Sequence, residues 1–151
     1  MKRALLIVLA VVFLLIAGLL LSPIGPVPGG ALAGEFVAEP VTDWSFLKDE
    51  RFCQLETKSP EPRSITVTCI VSDKQLYVGC SSCAGRNWSQ QLIVSPSVRY
   101  GALGKVYALQ ASRVKDPHEL DQVWRARAKK NGQDRPDPKP DDFWFFRLGM
   151  R

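Results

Sequence analysis

Four cysteines carry the most specific chemistry in this sequence: Cys53, Cys69, Cys80 and Cys83. Cys80 and Cys83 have the CxxC spacing, which occurs in thiol–disulfide active sites and in thiolate metal sites. Ala84 follows Cys83, so the Cys-x-x-Cys-His pattern of haem attachment is absent. Four interpretations stay open: structural disulfides, a redox-active CxxC, a metal site, and buried free thiols.

Other catalytic signals are weak. His118 is the only histidine. The sequence shows no arrangement of nucleophile, histidine and carboxylate that would indicate a hydrolase. Arg125, Arg127, Lys129 and Lys130 form a basic cluster, which fits either a solvated helix end or contact with anionic headgroups.

The N-terminal region predicts a location. Residues 4–21 form an apolar run of eighteen residues, about 27 Å as a helix and close to the thickness of a bilayer core. Lys2 and Arg3 precede the run and no charge follows until Glu35, so we expect a single-pass anchor in membrane lipid, with the rest outside the cytoplasm. A cleaved signal peptide ending near Ala33 is the alternative.

The domain organisation follows from composition. Residues 1–22 are the predicted transmembrane anchor or uncleaved signal, 23–34 a Pro/Gly linker, and 35–151 a single domain. The chain has 20 Lys and Arg against 15 Asp and Glu; without Lys2 and Arg3 the balance is 18 to 15, a net charge of +3. That charge is too small for a strongly cationic nucleic-acid binder.

The elements that would position these residues are mostly short strands. Residues 64–71 and 76–80 alternate and flank a turn at Asp73-Lys74, which predicts an antiparallel hairpin with Cys69 opposite Val78 and Val67 opposite Cys80. Further strands are predicted at 53–57, 98–100, 105–114 and 143–148. Helices are predicted at 88–94, capped by Asn87, and at 117–130, capped by Asp116. Mainly β with two short helices, the domain is expected to form a small closed or partly closed barrel.

The cysteine pairing favoured by this arrangement is Cys53–Cys69 across neighbouring strands and Cys80–Cys83 within the following loop. Cys69 and Cys80 lie diagonally in the predicted hairpin, which is unfavourable for a bond between them.

The element order resembles the split β-barrel of the FMN-binding superfamily, which includes pyridoxamine-phosphate-oxidase-like proteins and deazaflavin-dependent nitroreductases and quinone reductases. Three segments carry the resemblance: PRSITV (62–67), LYVGCSSCAGRNWSQQL (76–92) and SVRYGALGKVYALQASRVKD (97–116). It implies an FMN or deazaflavin cofactor, an oxidoreductase activity and a homodimer. The Gly-rich segment of the quinone reductases has no counterpart at 56–63.

Carried over residue by residue, the resemblance implies a cofactor site in two parts. Arg63 and Ser64 would begin the strand that faces the flavin ring. Ser81, Ser82, Arg86 and Asn87 would hold its phosphate, a role suited to hydroxyls, a guanidinium and a helix N-terminus.

Three functions therefore remain open from the sequence. The protein is a flavin- or deazaflavin-binding oxidoreductase at the membrane, a non-enzymatic binding or assembly module whose barrel has no cofactor, or a thiol-redox protein that uses Cys80 and Cys83.

Overall fold

The computed structural model describes residues 29–58, 62–134 and 136–150, which form a curled, mainly antiparallel sheet with two helices. The apolar run at 4–21 lies outside the described residues, so its membrane-spanning role stays a prediction. No helix within the described ranges is both long enough and apolar enough to span a bilayer.

Within the described residues, eight strands and two α-helices follow one another. The strands are Glu35–Val37 (β1), Phe52–Thr57 (β2), Arg63–Thr68 (β3), Ile70–Ser72 (β4), Gln75–Cys80 (β5), Ser97–Ala102 (β6), Lys105–Arg113 (β7) and Trp144–Met150 (β8). The helices are Asn87–Val94 (α1) and Pro117–Lys130 (α2), and short 3-10 turns occupy Ser45–Leu47 and Cys83–Gly85.

The strand order shows why the sheet curls. It runs β3-β2-β6-β7-β8-β5-β4, and β1 adds to β7 in parallel. β3 and β4 therefore lie at opposite ends of the order, although only Cys69 separates them in the chain. The sheet has to curl so that its two ends come close together, and it forms a half-barrel.

The predicted hairpin is confirmed at its turn and wrong at its far end. Asp73 and Lys74 both have positive φ, 46° and 63°, as a two-residue hairpin turn of this type requires, and Val71 pairs with Leu76. The predicted strand at 64–71, however, divides at Cys69, whose N–H donates to the Arg51 carbonyl at 3.2 Å. Residues before Cys69 pair with β2, so Val67 does not lie opposite Cys80.

The inner face of the sheet holds the larger core. Its largest fully buried side chains include Trp44, Leu55, Tyr100, Leu109 and Phe146. Alternation along the strands directs the four strand residues inward. Trp44 comes from the loop before the first 3-10 turn, and α1 adds Leu92 to the same cluster.

The outer face is covered differently on its two halves. Helix α2 lies on the half formed by β4, β5 and β8, where Val123 packs with Ile70, Tyr77 and Phe145 in a second core. On the half formed by β3, β2 and β6, residues 30–34 lie against the sheet; we call these residues the strap. The predicted Pro/Gly linker therefore ends in a docked segment, because Leu32 is buried against the strands.

Both helices lie close to their predicted positions. Helix α2 has the predicted bounds; Pro117 is in its first turn, and the Asp116 carboxylate accepts from the Glu119 N–H at 2.8 Å. In α1 the cap differs from the prediction, because the extended Arg86 precedes the first turn and Asn87 is already helical.

The favoured disulfide pairing is confirmed. Cys53 bonds to Cys69 and Cys80 bonds to Cys83, each with Cα atoms 5.5 Å apart. Cys53 of β2 lies opposite Val67 of β3, and this register brings Cys53 beside Cys69, two residues after Val67. Because all four sulfurs are bonded, neither thiolate metal ligation nor free thiols describe this structure.

Candidate functional site

The loop between β5 and α1 brings together four of the six residues implied as cofactor ligands. Ser81 and Ser82 follow Cys80 directly, and the disulfide closes the chain back at Cys83. Ser82 has a left-handed backbone (φ 50°), which turns the loop towards α1. Arg86 then precedes the helix, which begins at Asn87, and all four residues are exposed.

A carboxylate of the chain already uses the donors of Ser82. Asp142 Oδ2 accepts from the Ser82 hydroxyl at 3.0 Å and from its N–H at 3.2 Å. The Asp142 carbonyl also accepts from the Cys83 N–H at 3.2 Å. The place implied for a phosphate thus holds a negative side chain, supplied by the segment just before β8.

Arg86 is likewise engaged within the loop. Its Nε donates to the Ser81 carbonyl at 2.8 Å. Ser89, fully buried in the first turn of α1, donates its hydroxyl to the carbonyls of Arg86 and Cys83. These bonds fix the loop against the helix.

Arg63 and Ser64 lie towards the C-terminal half of α1. Arg63 pairs with Thr57 of β2, and the Thr57 hydroxyl donates to Gln91 Oε1 at 2.7 Å. Gln91 is four residues after Asn87, a rise of about 6 Å, so the two predicted groups are offset along α1. The Ser64 hydroxyl faces the strap and donates to the Gly30 carbonyl at 2.7 Å.

The strap is held by an ion pair that sequence reasoning missed. Glu56 and Arg99, opposite one another on β2 and β6, lie 3.2 Å apart. Glu56 accepts from the Leu32 N–H at 2.6 Å, while Arg99 donates to the Leu32 carbonyl at 3.2 Å. The Leu32 side chain covers Gly101, where a Cβ atom would stand 3.3 Å from a Leu32 methyl group.

This clamp leaves the buried Glu56 carboxylate paired with both a guanidinium and a backbone N–H, as a buried charge requires. A sequence signal for it existed only in the strand alternation, which puts Glu56 and Arg99 on outward positions. Recognising the pair required the β2–β6 register.

A second polar cluster fastens α2 to the outer face. Glu119 Oε1 accepts from the Tyr77 hydroxyl and from Arg147 Nε, both at 2.8 Å, and its other oxygen pairs with the same guanidinium. The hydrogen bonds from Arg147 hold the pKa of Glu119 below its usual value. Burial, followed by the bond to Glu119, raises the pKa of Tyr77 to about 12, so this hydroxyl remains a donor at neutral pH.

The four basic residues predicted at the end of α2 have different contacts. The Lys130 ammonium donates to three carbonyls, those of Leu47, Glu50 and Cys69, and thereby ties α2 to the corner between β3 and β4. Burial lowers the pKa of Lys130. Arg127 lies over the rings of Trp124 and Phe143, Arg125 pairs with Asp121 at 3.0 Å, and Lys129 is exposed. His118 is also exposed, in the first turn of α2.

A cleft of about 820 Å³ lies between α2 and the segment that follows it. Leu120 and Trp124 line one side, and Pro136 and Pro138 line the other. The Trp124 indole N–H donates to the Asp137 carbonyl at 2.6 Å, so the segment is fastened at one point beside the cleft. The volume is within the range of small-ligand sites, and charged side chains, among them Asp121, Arg125 and Lys129, complete the lining.

The chain is similar in fold to solved split-barrel structures, which cover most of its length. A conserved hypothetical protein from Mycobacterium tuberculosis is similar over 78% of this chain and 86% of its own, with 16% identity and a TM-score of 0.58. An FAD-binding protein from Mesorhizobium loti matches over 71% and 86%, with 19% identity and a TM-score of 0.52. An F420-H2 dependent reductase matches over 66% and 94%, with 13% identity and a TM-score of 0.51.

These likenesses establish the split-barrel fold. No protein-family profile matches the chain, and no curated protein is similar to it in sequence.

Proposed function

We propose that this protein is a membrane-anchored, extracytoplasmic split-barrel module that binds a partner or ligand without a flavin cofactor. The anchor is the apolar run at 4–21, and the domain from residue 35 onward lies outside the cytoplasm. Support for export comes from Lys2 and Arg3 ahead of the run and from two disulfides, which persist in oxidising compartments.

The observation that carries the proposal is the Asp142 carboxylate on the donors of Ser82. A phosphate at this loop would meet that carboxylate, and like charges at contact distance repel. On the other part of the implied site, the Ser64 hydroxyl is already bonded to the strap. The residues as arranged do not fit a flavin phosphate and ring. The cleft beside Trp124 is the concavity to which we assign ligand binding.

The second candidate is a flavin- or deazaflavin-binding oxidoreductase. It is favoured by the fold, which this chain shares with a protein described as FAD-binding and with a reductase described as F420-H2 dependent. For this candidate, Asp142 would have to leave Ser82 so that Arg86 and the first turn of α1 could meet an anion. A homodimer, implied by the same resemblance, belongs to this candidate as well.

Titration of the full-length protein in detergent with FMN, FAD and deazaflavin, followed by flavin fluorescence, separates the two candidates. We expect no saturable binding by the wild type. Asp142→Ala, which frees the Ser82 donors, should acquire weak binding of FMN, whereas the neighbouring Asp141→Ala should not. Stoichiometric binding by the wild type would overturn the proposal and favour the oxidoreductase. Light scattering in the same detergent gives the oligomeric state.

A thiol-redox function is less compatible with the geometry. Cys80 is 7% exposed and Cys83 is fully buried, whereas attack on a partner disulfide needs an accessible thiolate. We expect the Cys80–Cys83 bond to resist reduction by glutathione in the folded protein, which alkylation and mass spectrometry would show.

A further inference from the structure

The strap fixes where the chain enters the domain. Going backwards along it, Gly34 lies against Gly104, Leu32 against Gly101, and Gly30 against Ser64. The strap thus crosses the outer face from the β6–β7 turn towards the start of β3. The described chain therefore begins, at Gly29, near the end of the sheet where β2 finishes at Thr57 and β3 begins. We call this end the exit pole.

Helix α1 lies across the same pole. Its Gln91 bonds to Thr57, and the chain from Val94 reaches Val98, the residue paired with Thr57 on β6, within four residues. Leu92 points into the inner core, whereas Ile93 and Val94 are 51% and 86% exposed. Two large apolar side chains at the tip of a helix therefore project from the exit pole.

Basic residues surround this tip. Arg113 and Lys115 line a cleft of about 330 Å³ together with Ile93, and Lys58 and Arg63 adjoin the end of β2. The described acids near this end include Glu56 and Glu119, which pair with Arg99 and Arg147. They also include Asp116, whose carboxylate caps α2, and Asp141 and Asp142 near the other end of α1. Around Ile93 and Val94 the local balance is cationic.

The length of chain before the domain limits its distance from the anchor. Eight residue steps separate Leu21 from Gly29, at most about 28 Å when fully extended. The nine-residue β7 spans about 30 Å, a length similar to that limit. The exit pole, where the described chain begins, is therefore the end that this length favours near the membrane.

We propose that the exit pole is a membrane-contact surface, on which Ile93 and Val94 enter the headgroup region of an anionic bilayer while Lys58, Arg113 and Lys115 meet its phosphates. Apolar tips flanked by Lys and Arg bind such interfaces through burial and charge together. This inference rests on the proposed anchoring of residues 4–21, and it adds an orientation, with α1 against the membrane and α2 to one side.

Accessibility measurements on the full-length protein in vesicles test the orientation. A fluorescent label is attached to Val94→Cys, and to Leu103→Cys in the exposed β6–β7 turn at the opposite pole as the matched control. Vesicles contain phosphatidylcholine with or without phosphatidylglycerol, and quenching by lipid-borne nitroxides is compared with quenching by aqueous iodide.

In anionic vesicles we expect the ratio of lipid to iodide quenching to be about threefold or more higher at residue 94 than at 103. The double substitution of Lys58→Gln and Lys115→Gln should lower the fraction of protein whose exit pole contacts the membrane about tenfold, as should removal of phosphatidylglycerol. Equal ratios at the two positions in anionic vesicles would overturn the membrane-contact surface.

Flotation after a carbonate wash distinguishes this inference from the anchoring on which it depends. Protein that floats with equal quenching ratios keeps the anchor and loses the proposed orientation. Protein that fails to float overturns both. Protein that floats with a label at residue 94 quenched by lipid supports both.

Discussion

The cluster of Glu119, Tyr77 and Arg147 makes the stability of this fold depend on pH in a calculable way. The perturbation is Glu119→Gln, which keeps the side-chain shape and one acceptor but removes the charge. Glu119 is 15% exposed and Arg147 is 46% exposed, so the ion pair itself is discounted to the range of surface pairs, below about 1 kcal/mol. The Tyr77 hydroxyl keeps a neutral acceptor in Gln, so the exchange of a charged for a neutral acceptor adds about 1 kcal/mol. Glu119→Gln should therefore cost about 1–2 kcal/mol at pH 7.

The acid limb follows from the lowered pKa of Glu119. The stabilisation is complete above the unfolded-state pKa, about 4.3, and is lost as the pH falls through the lower folded-state value. The alkaline limb follows from Tyr77, whose pKa is about 12 in the fold and about 10 when unfolded. Its contribution is complete below about pH 10 and is lost as the pH rises towards 12.

Urea unfolding of the full-length protein in detergent, monitored by tryptophan fluorescence, measures both limbs. The difference in unfolding free energy between wild type and Glu119→Gln should shrink below about pH 4, and that between wild type and Tyr77→Phe should shrink above about pH 10. Asp121→Asn, which breaks the exposed pair with Arg125, is the control and should change stability by less than about 0.5 kcal/mol. A difference for Glu119→Gln that stays constant from neutral to acid pH would refute the reasoning.

Three further substitutions probe the other fastenings by the same unfolding assay. Lys130→Met leaves three carbonyls without their ammonium donor and should cost about 2–4 kcal/mol, whereas Lys129→Met, at an exposed position, should be near neutral. Equal effects of the two substitutions would contradict the role of the Lys130 ammonium in holding α2. Replacing both cysteines of Cys53–Cys69 by Ala should cost about 3 kcal/mol and both of Cys80–Cys83 about 2, because the first bond closes the longer loop; the reverse order would count against the loop-entropy account. Leu32→Ala should cost about 2 kcal/mol of burial and make the strap a site of limited proteolysis, and a strap that stays protected would argue against its docking.

Features with local causes were predictable from the sequence. Asp116 and Pro117 determine where α2 begins, and Asp73-Lys74 forms the turn between β4 and β5, because caps and turns are settled by residues within a few positions of one another. The pairing of Cys53 with Cys69 followed from neighbouring strands. Each of these needed only the correct strand or helix assignment over a short stretch.

Features that depend on distant partners were not predictable. Nothing near Cys69 in the sequence shows that the strand changes partners there, because the change is imposed by closure of the whole sheet. The engagement of Ser82 by Asp142 joins residues 60 positions apart, and the clamp on Leu32 joins three separate segments. A polar residue's type indicates which bonds it can make, but only the fold determines which partner it finds.

The hydrogen bonds already made by Ser82 and Ser64 limit the binding free energy that a cofactor could gain from these residues. In this structure Asp142 accepts from the donors of Ser82, and the strap accepts from the hydroxyl of Ser64. A phosphate ligand would therefore exchange with bonds already present. If displacing Asp142 alone costs about 1.4–2.8 kcal/mol, affinity falls about tenfold to hundredfold compared with an open loop. Asp142→Ala removes that competition while leaving Arg86 and α1 in place, so a gain of affinity in this variant measures how far the chain's own carboxylate has taken the place of a ligand.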